Sequence, residues 1–207
     1  MATRKRVGIL VFDLVEVLDF AGPFEVFSVT RLDDTRRLEE LSPFEVLLVA
    51  EREGIVSAAG GLKVTPDVTI ARCPPLDILV VPGGWGTRRE IKNATLLEWI
   101  AKQGRSVETL TSVCTGAMLL GKAGLLSRKR ATTHWRSLDW MTASFPDVTV
   151  ERSLHVVEDG NVVTSAGISA GIDMALRVVA RFFGEAVARA TARHMEYPFP
   201  PDNRRRV

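Results

Sequence analysis

Cys114 stands where an apolar run gives way to small residues, in "LTSVCTGAMLLGKAGLL". The run before it reads as a buried strand and the run after it as an amphipathic helix, so the cysteine occupies a strand–helix elbow. An elbow of this kind holds its side chain out over the end of a sheet, the position of a nucleophile. A helix start also favours negative charge, through unpaired N–H groups and the helix dipole. A thiol there is expected to ionise more readily than an ordinary cysteine, whose pKa is about 8.5. Cys73, in "ARCPPLD", precedes two prolines and a strand, with no helix start after it, and reads as structural filler.

Asp19 lies in "EVLDFAGP", between Leu18 and Phe20. A carboxylate among apolar neighbours needs partners, and burial tends to keep it protonated. The same residue would also serve as the cap of a helix starting near Pro23, and the residues alone leave both readings open. Asp13 and Glu16, in more polar surroundings, read as solvated. "PGGWG" (82–86) lacks the Lys-Ser/Thr of a phosphate loop and the third glycine of a dinucleotide fingerprint. It fits a loop of close backbone approach, with the Gly84 amide offered to an oxyanion. His134, in "TTHW", could act as a base, though nothing local requires it. The three histidines have no helical metal-ligand spacing and there is no CxxC, so no metal site is expected.

The elements that must position these residues alternate in type. "RVGILVF" (6–12), "FEVLLVA" (44–50), "LDILVV" (76–81) and "SVETLTSV" (106–113) read as strands. A helix is expected with Pro23 in its first turn, a second over "REIKNATLLEWIAKQGR" (89–105), and a third from Thr115. "GIVSAAGGLKVTPDVTI" (54–70) reads as a hairpin or a pair of edge strands. "RKRATTHW" reads as a short strand into a turn, and "RSLDWMTASF" as a helix stopped by Pro146. "VTVERSLHVVEDGNVVTSAG" reads as two strands joined at Asp159-Gly160, and two helices separated by Gly184 close the chain. Strands alternating with helices predict an α/β fold, a mainly parallel sheet sandwiched by helices, in one domain over residues 1–207. Asp13 to Asp19, Gly83 to Gly86 and Cys114 all follow strands, where open α/β sheets bind ligands.

A chain of 207 residues with 46% hydrophobic and 25% charged residues is ordinary for a soluble globular protein. A net charge of +2 gives no case for nucleic-acid binding. The basic runs at 128–130 and 204–206 are short and read as a solvated turn and a frayed tail. The start "MATRKRVGILVF" resembles a signal peptide, but Asp13, Glu16 and Asp19 interrupt it. No run approaches the ~20 residues of a membrane span, so a cytoplasmic protein is expected.

Taken together, "LDFAGPFEVF", "DILVVPGGWG", "SVCTGAMLLGKAGLL", "RATTHW" and "GISAGIDMAL" resemble the ThiJ/PfpI superfamily, whose fold is similar to class I glutamine amidotransferases and flavodoxin. The resemblance runs from about Val7 to about Tyr197 and implies that Cys114 is the reactive residue. Within that superfamily the sequence is most similar to the isocyanide hydratases, which carry an aspartate in an "LDxxGP" context and a threonine after the cysteine. Asp19 and Thr115 hold those positions. Peptidase-like members place histidine after the cysteine, so protease activity is disfavoured.

The resemblance implies a cysteine-dependent hydratase that adds water to an isocyanide and yields an N-substituted formamide, with no cofactor. Cys114, Asp19 and Thr115 are the expected catalytic residues, the Thr115 hydroxyl orienting Asp19. Gly83, Gly84 and Ile168 are expected to line the substrate and oxyanion site. The superfamily implies a homodimer, with Phe24 and Phe27 available either to its interface or to the core. The amino-terminal halves of AraC-type regulators carry much the same "VCTGA" and "ATTHW" motifs, which makes a small-molecule sensor one alternative. A glyoxalase or deglycase is the other, disfavoured by Asp19 because those relatives carry glutamate there. The regulators add a helix-turn-helix region, so a sequence ending at Val207 carries the expectation of a stand-alone enzyme acting on a small molecule, without nucleic-acid or membrane partners.

Overall fold

The computed structural model describes residues 4–206; Met1 to Thr3, part of the charged amino-terminal run, and Val207 lie outside the described residues. Strand β1 (Lys5–Leu10) leads into helix α1 (Val17–Val29) and strand β2 (Phe44–Ala50). A small hairpin, β3 (Val56–Ser57) with β4 (Lys63–Val64), precedes edge strand β5 (Val68–Thr69) and β6 (Ile78–Val81). Helices α2 (Thr87–Glu90) and α3 (Ala94–Ser106) lead to β7 (Thr109–Val113) and α4 (Gly116–Lys122). After β8 (Arg130–Ala131), α5 (Leu138–Ser144) and β9 (Thr149–Val150) comes the hairpin of β10 (Val156–Asp159) and β11 (Val162–Ser165). Helices α6 (Ala170–Phe183) and α7 (Glu185–His194) follow.

The seven-stranded sheet runs β10-β11-β7-β6-β1-β2-β5. Its pairings are parallel except for the β10–β11 hairpin. Every residue of β6 and β7 is buried. Successive strand residues point to opposite faces, so unbroken burial requires cover on both. Helices α1, α6 and α7 pack as one group and α2, α3 and α4 as another. The predicted α/β sandwich is therefore the observed one. Phe27 stacks at 4.9 Å on Phe44, which meets Phe183 at 5.3 Å. Phe27 is fully buried in this cluster and so belongs to the core rather than to an interface.

Three local expectations need correction. Helix α1 begins at Val17, and Pro23 lies inside it rather than in its first turn. The amide that Pro23 lacks would have bonded to the carbonyl of Asp19, four residues back. Asp19 thus sits within the first turn of α1, and the cap position belongs to Glu16. The helix expected over 89–105 is broken at Asn93, whose side-chain oxygen accepts from the Leu96 amide at 3.3 Å and caps α3. The basic tail is anchored. Arg204 bridges Leu154, Arg205 donates to the Thr133 carbonyl at 3.1 Å, and Arg206 pairs with buried Asp173 at 3.0 Å.

Candidate active site

Strands β7, β6 and β1 are neighbours, so the segments leaving their carboxyl ends converge. The β1–α1 and β6–α2 segments are stitched together. The Glu16 amide donates to the Gly83 carbonyl at 2.9 Å, the Gly86 amide to the Leu14 carbonyl at 3.1 Å, and Val15 bridges Gly84. Gly83 and Gly84 permit this approach. A Cβ on Gly83 would lie 2.4 Å from the Thr115 nitrogen, and one on Gly84, where φ is +125°, 2.4 Å from the Glu16 nitrogen.

Cys114 follows β7 directly, with φ of 55°, a left-handed conformation that strains a residue bearing a Cβ. Its amide donates to the Ala166 carbonyl at 3.0 Å, and its carbonyl accepts from Thr133 Oγ1 at 2.8 Å. The elbow is held from both sides. Asp19 is fully buried. Its Oδ2 accepts from the Gly83 amide at 2.9 Å, while Oδ1 is buried without a hydrogen-bond partner among the described residues. Thr115 does not orient Asp19. Its Oγ1 accepts from the Gly84 amide at 3.0 Å and lies 2.9 Å from Thr87 Oγ1 and 3.3 Å from the Gly84 carbonyl. Gly83 holds the acid, and Thr115 holds the loop. The Gly84 amide is therefore committed to Thr115, not open to an oxyanion. The Thr115 amide faces the Cys114 sulfur instead.

The electrostatics reverse one expectation. Burial pushes the Cys114 thiol well above its ordinary range, and the neighbouring Asp19 carboxyl adds to the rise; the Thr115 amide opposes it. Burial likewise raises the Asp19 pKa well above the usual carboxylate range, against the opposing Gly83 hydrogen bond. A helix terminus contributes about 0.3–1 kcal/mol to a favourable charge, whereas full burial shifts a pKa by up to ~3–5 units. Burial wins, so both groups hold their protons more tightly than an exposed thiol and an exposed carboxyl would. Iodoacetamide should therefore label Cys114 slowly at pH 7, with the rate still climbing above the ordinary thiol range. A labelling rate already on its plateau at pH 7, read by peptide mass spectrometry, would mean a resting thiolate.

Cys114 opens on a pocket of about 380 Å³ lined also by Glu16, Gly84, Thr115, His134 and Ile168, and walled by Trp85, Arg88, Trp135, Arg136 and Ser137. Ile168 stands at this pocket with φ of 55° and is 36% exposed, as its expected lining role requires. A larger groove, about 890 Å³, runs beside β2 and α3 and shares Arg88, but Cys114 and Asp19 do not line it. Glu16, expected to be solvated, is half-buried at the pocket edge, and Trp85, Arg88, Trp135 and Arg136 join it although no sequence pattern singles them out. The available signal was that "PGGWG" and "TTHW" each place a tryptophan beside a segment already under suspicion. His134 lines the pocket, its Nδ1 accepting from the Arg136 amide at 3.2 Å; burial, Arg136 and Arg205 lower its pKa.

Residues 5–181 match the model of the DJ-1/PfpI family. The isonitrile hydratase of Pseudomonas putida is 37% identical over 197 residues, covering 95% of this chain and 80% of that protein. The HTH-type transcriptional regulator GbdR of Pseudomonas aeruginosa is 32% identical over 93% of this chain, which spans about half (51%) of the regulator's length. Among solved structures, a THiJ/PfpI family protein from Pseudomonas syringae superposes with a TM-score of 0.82 at 32% identity, over 97% of this chain and 78% of that one. DJ-1beta of Drosophila melanogaster shares the fold, with a TM-score of 0.78 at 19% identity over 94% of this chain and 98% of that one. A parallel sheet with a strained cysteine elbow and a buried acid beside it, matched along most of its length at these levels, identifies the chain as a member of the DJ-1/PfpI family.

Proposed function

We propose that this protein is a cysteine-dependent isonitrile hydratase, with Cys114 as nucleophile and Asp19 as proton carrier. The observation that carries the reading is the buried Asp19 carboxyl, one oxygen fixed by the Gly83 amide, within reach of the Cys114 thiol. An isonitrile carbon is attacked by a nucleophile and takes up a proton at the same atom. A neutral thiol–acid pair suits that demand, because the proton leaving sulfur has a destination. The Cys114 sulfur bonds to the carbon while Asp19 passes a proton to it and recovers one from the thiol, giving a thioimidate. Asp19 then gives that proton to the imidate nitrogen and, now a carboxylate, draws one from water as the oxygen adds to the carbon. The carbon–sulfur bond breaks, the thiol regains its proton, and an N-substituted formamide leaves. One isonitrile and one water are consumed, and no cofactor takes part. On this reading the Thr115 amide, beside the Cys114 sulfur, steadies charge during the addition. The likeness to isonitrile hydratase supports the same reading.

The protein on this reading acts on a small molecule as a cytoplasmic homodimer, in one domain, without engaging nucleic acid or membrane. Among the described residues no helix is long and apolar enough to cross a membrane. Two other activities meet the same test. The regulator likeness favours a ligand sensor with an idle cysteine, and the cysteine–acid pair also suits a glyoxalase or deglycase. Aliphatic and aromatic isonitriles and methylglyoxal should be offered in parallel and products identified by mass spectrometry. Formamide from the isonitriles is expected. Consumption of methylglyoxal alone would assign the glyoxalase chemistry, and turnover of neither would favour the sensor.

A further inference from the structure

The walls of the Cys114 pocket carry charge that the hydration reaction does not use. Arg88 lies over the Trp85 ring at 4.8 Å and 5.7 Å from the Trp140 ring. Arg136 lies over the Trp135 ring at 4.7 Å. Both arginines line the pocket with Cys114. Among the described residues neither forms an ion pair, while the adjacent Arg89 is paired with Glu90 at 2.6 Å. Trp85 is 66% exposed and Trp135 48% exposed. Two unpaired guanidiniums thus meet a single lining carboxylate, Glu16. The positive field reaches His134, whose pKa falls through burial first and Arg136 next.

We propose that the substrate carries a carboxylate on a planar apolar body, the carboxylate held by Arg88 and Arg136 and the body lying against Trp85 and Trp135. The inference rests on the hydratase reading and adds the class of isonitrile. A planar guanidinium presents a fork of N–H donors that fits a carboxylate, and stacking on an indole holds the fork in orientation. Tryptophan faces suit a flat apolar group. An entirely apolar substrate would leave the two exposed guanidiniums at the pocket without a counter-charge. A quaternary ammonium would add a third positive charge beside two guanidiniums. A volume of about 380 Å³ suits one aromatic ring with short substituents.

Three aryl isonitriles of matched size test this, bearing a carboxylate, its methyl ester, or a trimethylammonium group. The wild type should prefer the carboxylate to the ester by at least about tenfold in kcat/KM, mostly through KM, and added salt should erode the preference. Arg88→Gln and Arg136→Gln should each bring the carboxylate-to-ester ratio towards one. Equal use of acid and ester by the wild type would overturn the proposal, as would a best rate with the ammonium compound or a ratio unchanged in both variants. If no isonitrile turns over, the hydratase reading fails and the anion site is judged separately, by melting temperature in excess arylcarboxylate. Stabilisation by the acid but not by its ester, lost in the arginine variants, would sustain it; no stabilisation of the wild type would end it.

Discussion

Cys114→Ala should abolish formamide production, with kcat/KM falling by at least about ten-thousandfold and the melting temperature nearly unchanged. The size follows from the role. Without sulfur no covalent intermediate forms, and the pocket retains only binding and polarisation, which account for a small part of a nucleophilic enzyme's acceleration. The fold should tolerate the change. Alanine keeps a Cβ and can be held by the same hydrogen bonds from Cys114 backbone atoms to Ala166 and Thr133. Cys114→Ser is expected to be nearly as inactive, because an alkoxide is far harder to reach than a thiolate. Intact-protein mass spectrometry after a pulse of isonitrile gives the second readout: an adduct of one substrate mass on the wild type and none on the alanine variant. Turnover within about tenfold of wild type in Cys114→Ala would show that the cysteine is a bystander.

Asp19→Asn should lower turnover by at least about a hundredfold, the lower end of what a general acid–base group contributes. Asparagine preserves the shape and can still accept from the Gly83 amide, but it cannot carry the proton. Asp19→Glu keeps the proton on a longer arm and should retain partial activity. The stability effect has a definite sign. The folded pKa of Asp19 is raised well above 3.8, chiefly by burial. Its contribution to stability is therefore full below the unfolded carboxylate pKa and is lost as pH rises through the folded value. Asparagine has no charge to bury, so the variant should match the wild type in acid and melt higher above the folded pKa. Activity follows the same proton, and wild-type turnover should decline as pH climbs through that range. Near wild-type turnover in Asp19→Asn would falsify the proton-carrying role. A cap role is already set aside by the position of Asp19 inside the first turn of α1.

The sequence exposed the frame of this site better than its wiring. Strand β2 lies at the residues expected, and the Cys114 elbow was visible because an apolar strand, small residues and an amphipathic helix follow one another within a few residues. Helix α1 was misplaced because apolar residues surround it, with the solvent-facing side too thin to mark a period, and Pro23 looked like a start. The break at Asn93 was hidden in a window whose average still favoured helix. The Gly84 amide looked free because its acceptor, Thr115, is 31 residues away. The thiol's ionisation was misjudged for a related reason: the helix start is a local fact, whereas the burial that outweighs it is assembled from the whole fold. Arg88 and Arg136 stand on different segments, and no periodicity links them.

The left-handed backbone at Cys114 has a consequence for the history such a protein can have. A φ of 55° costs a residue with a Cβ on the order of 1–2 kcal/mol, and glycine almost none. Exchange of the nucleophile for glycine is thus a step towards a sturdier but inert molecule, a stabilising change whose cost is function. A descendant retired from chemistry and kept for ligand sensing would shed the cysteine without penalty and keep the tryptophan-lined pocket.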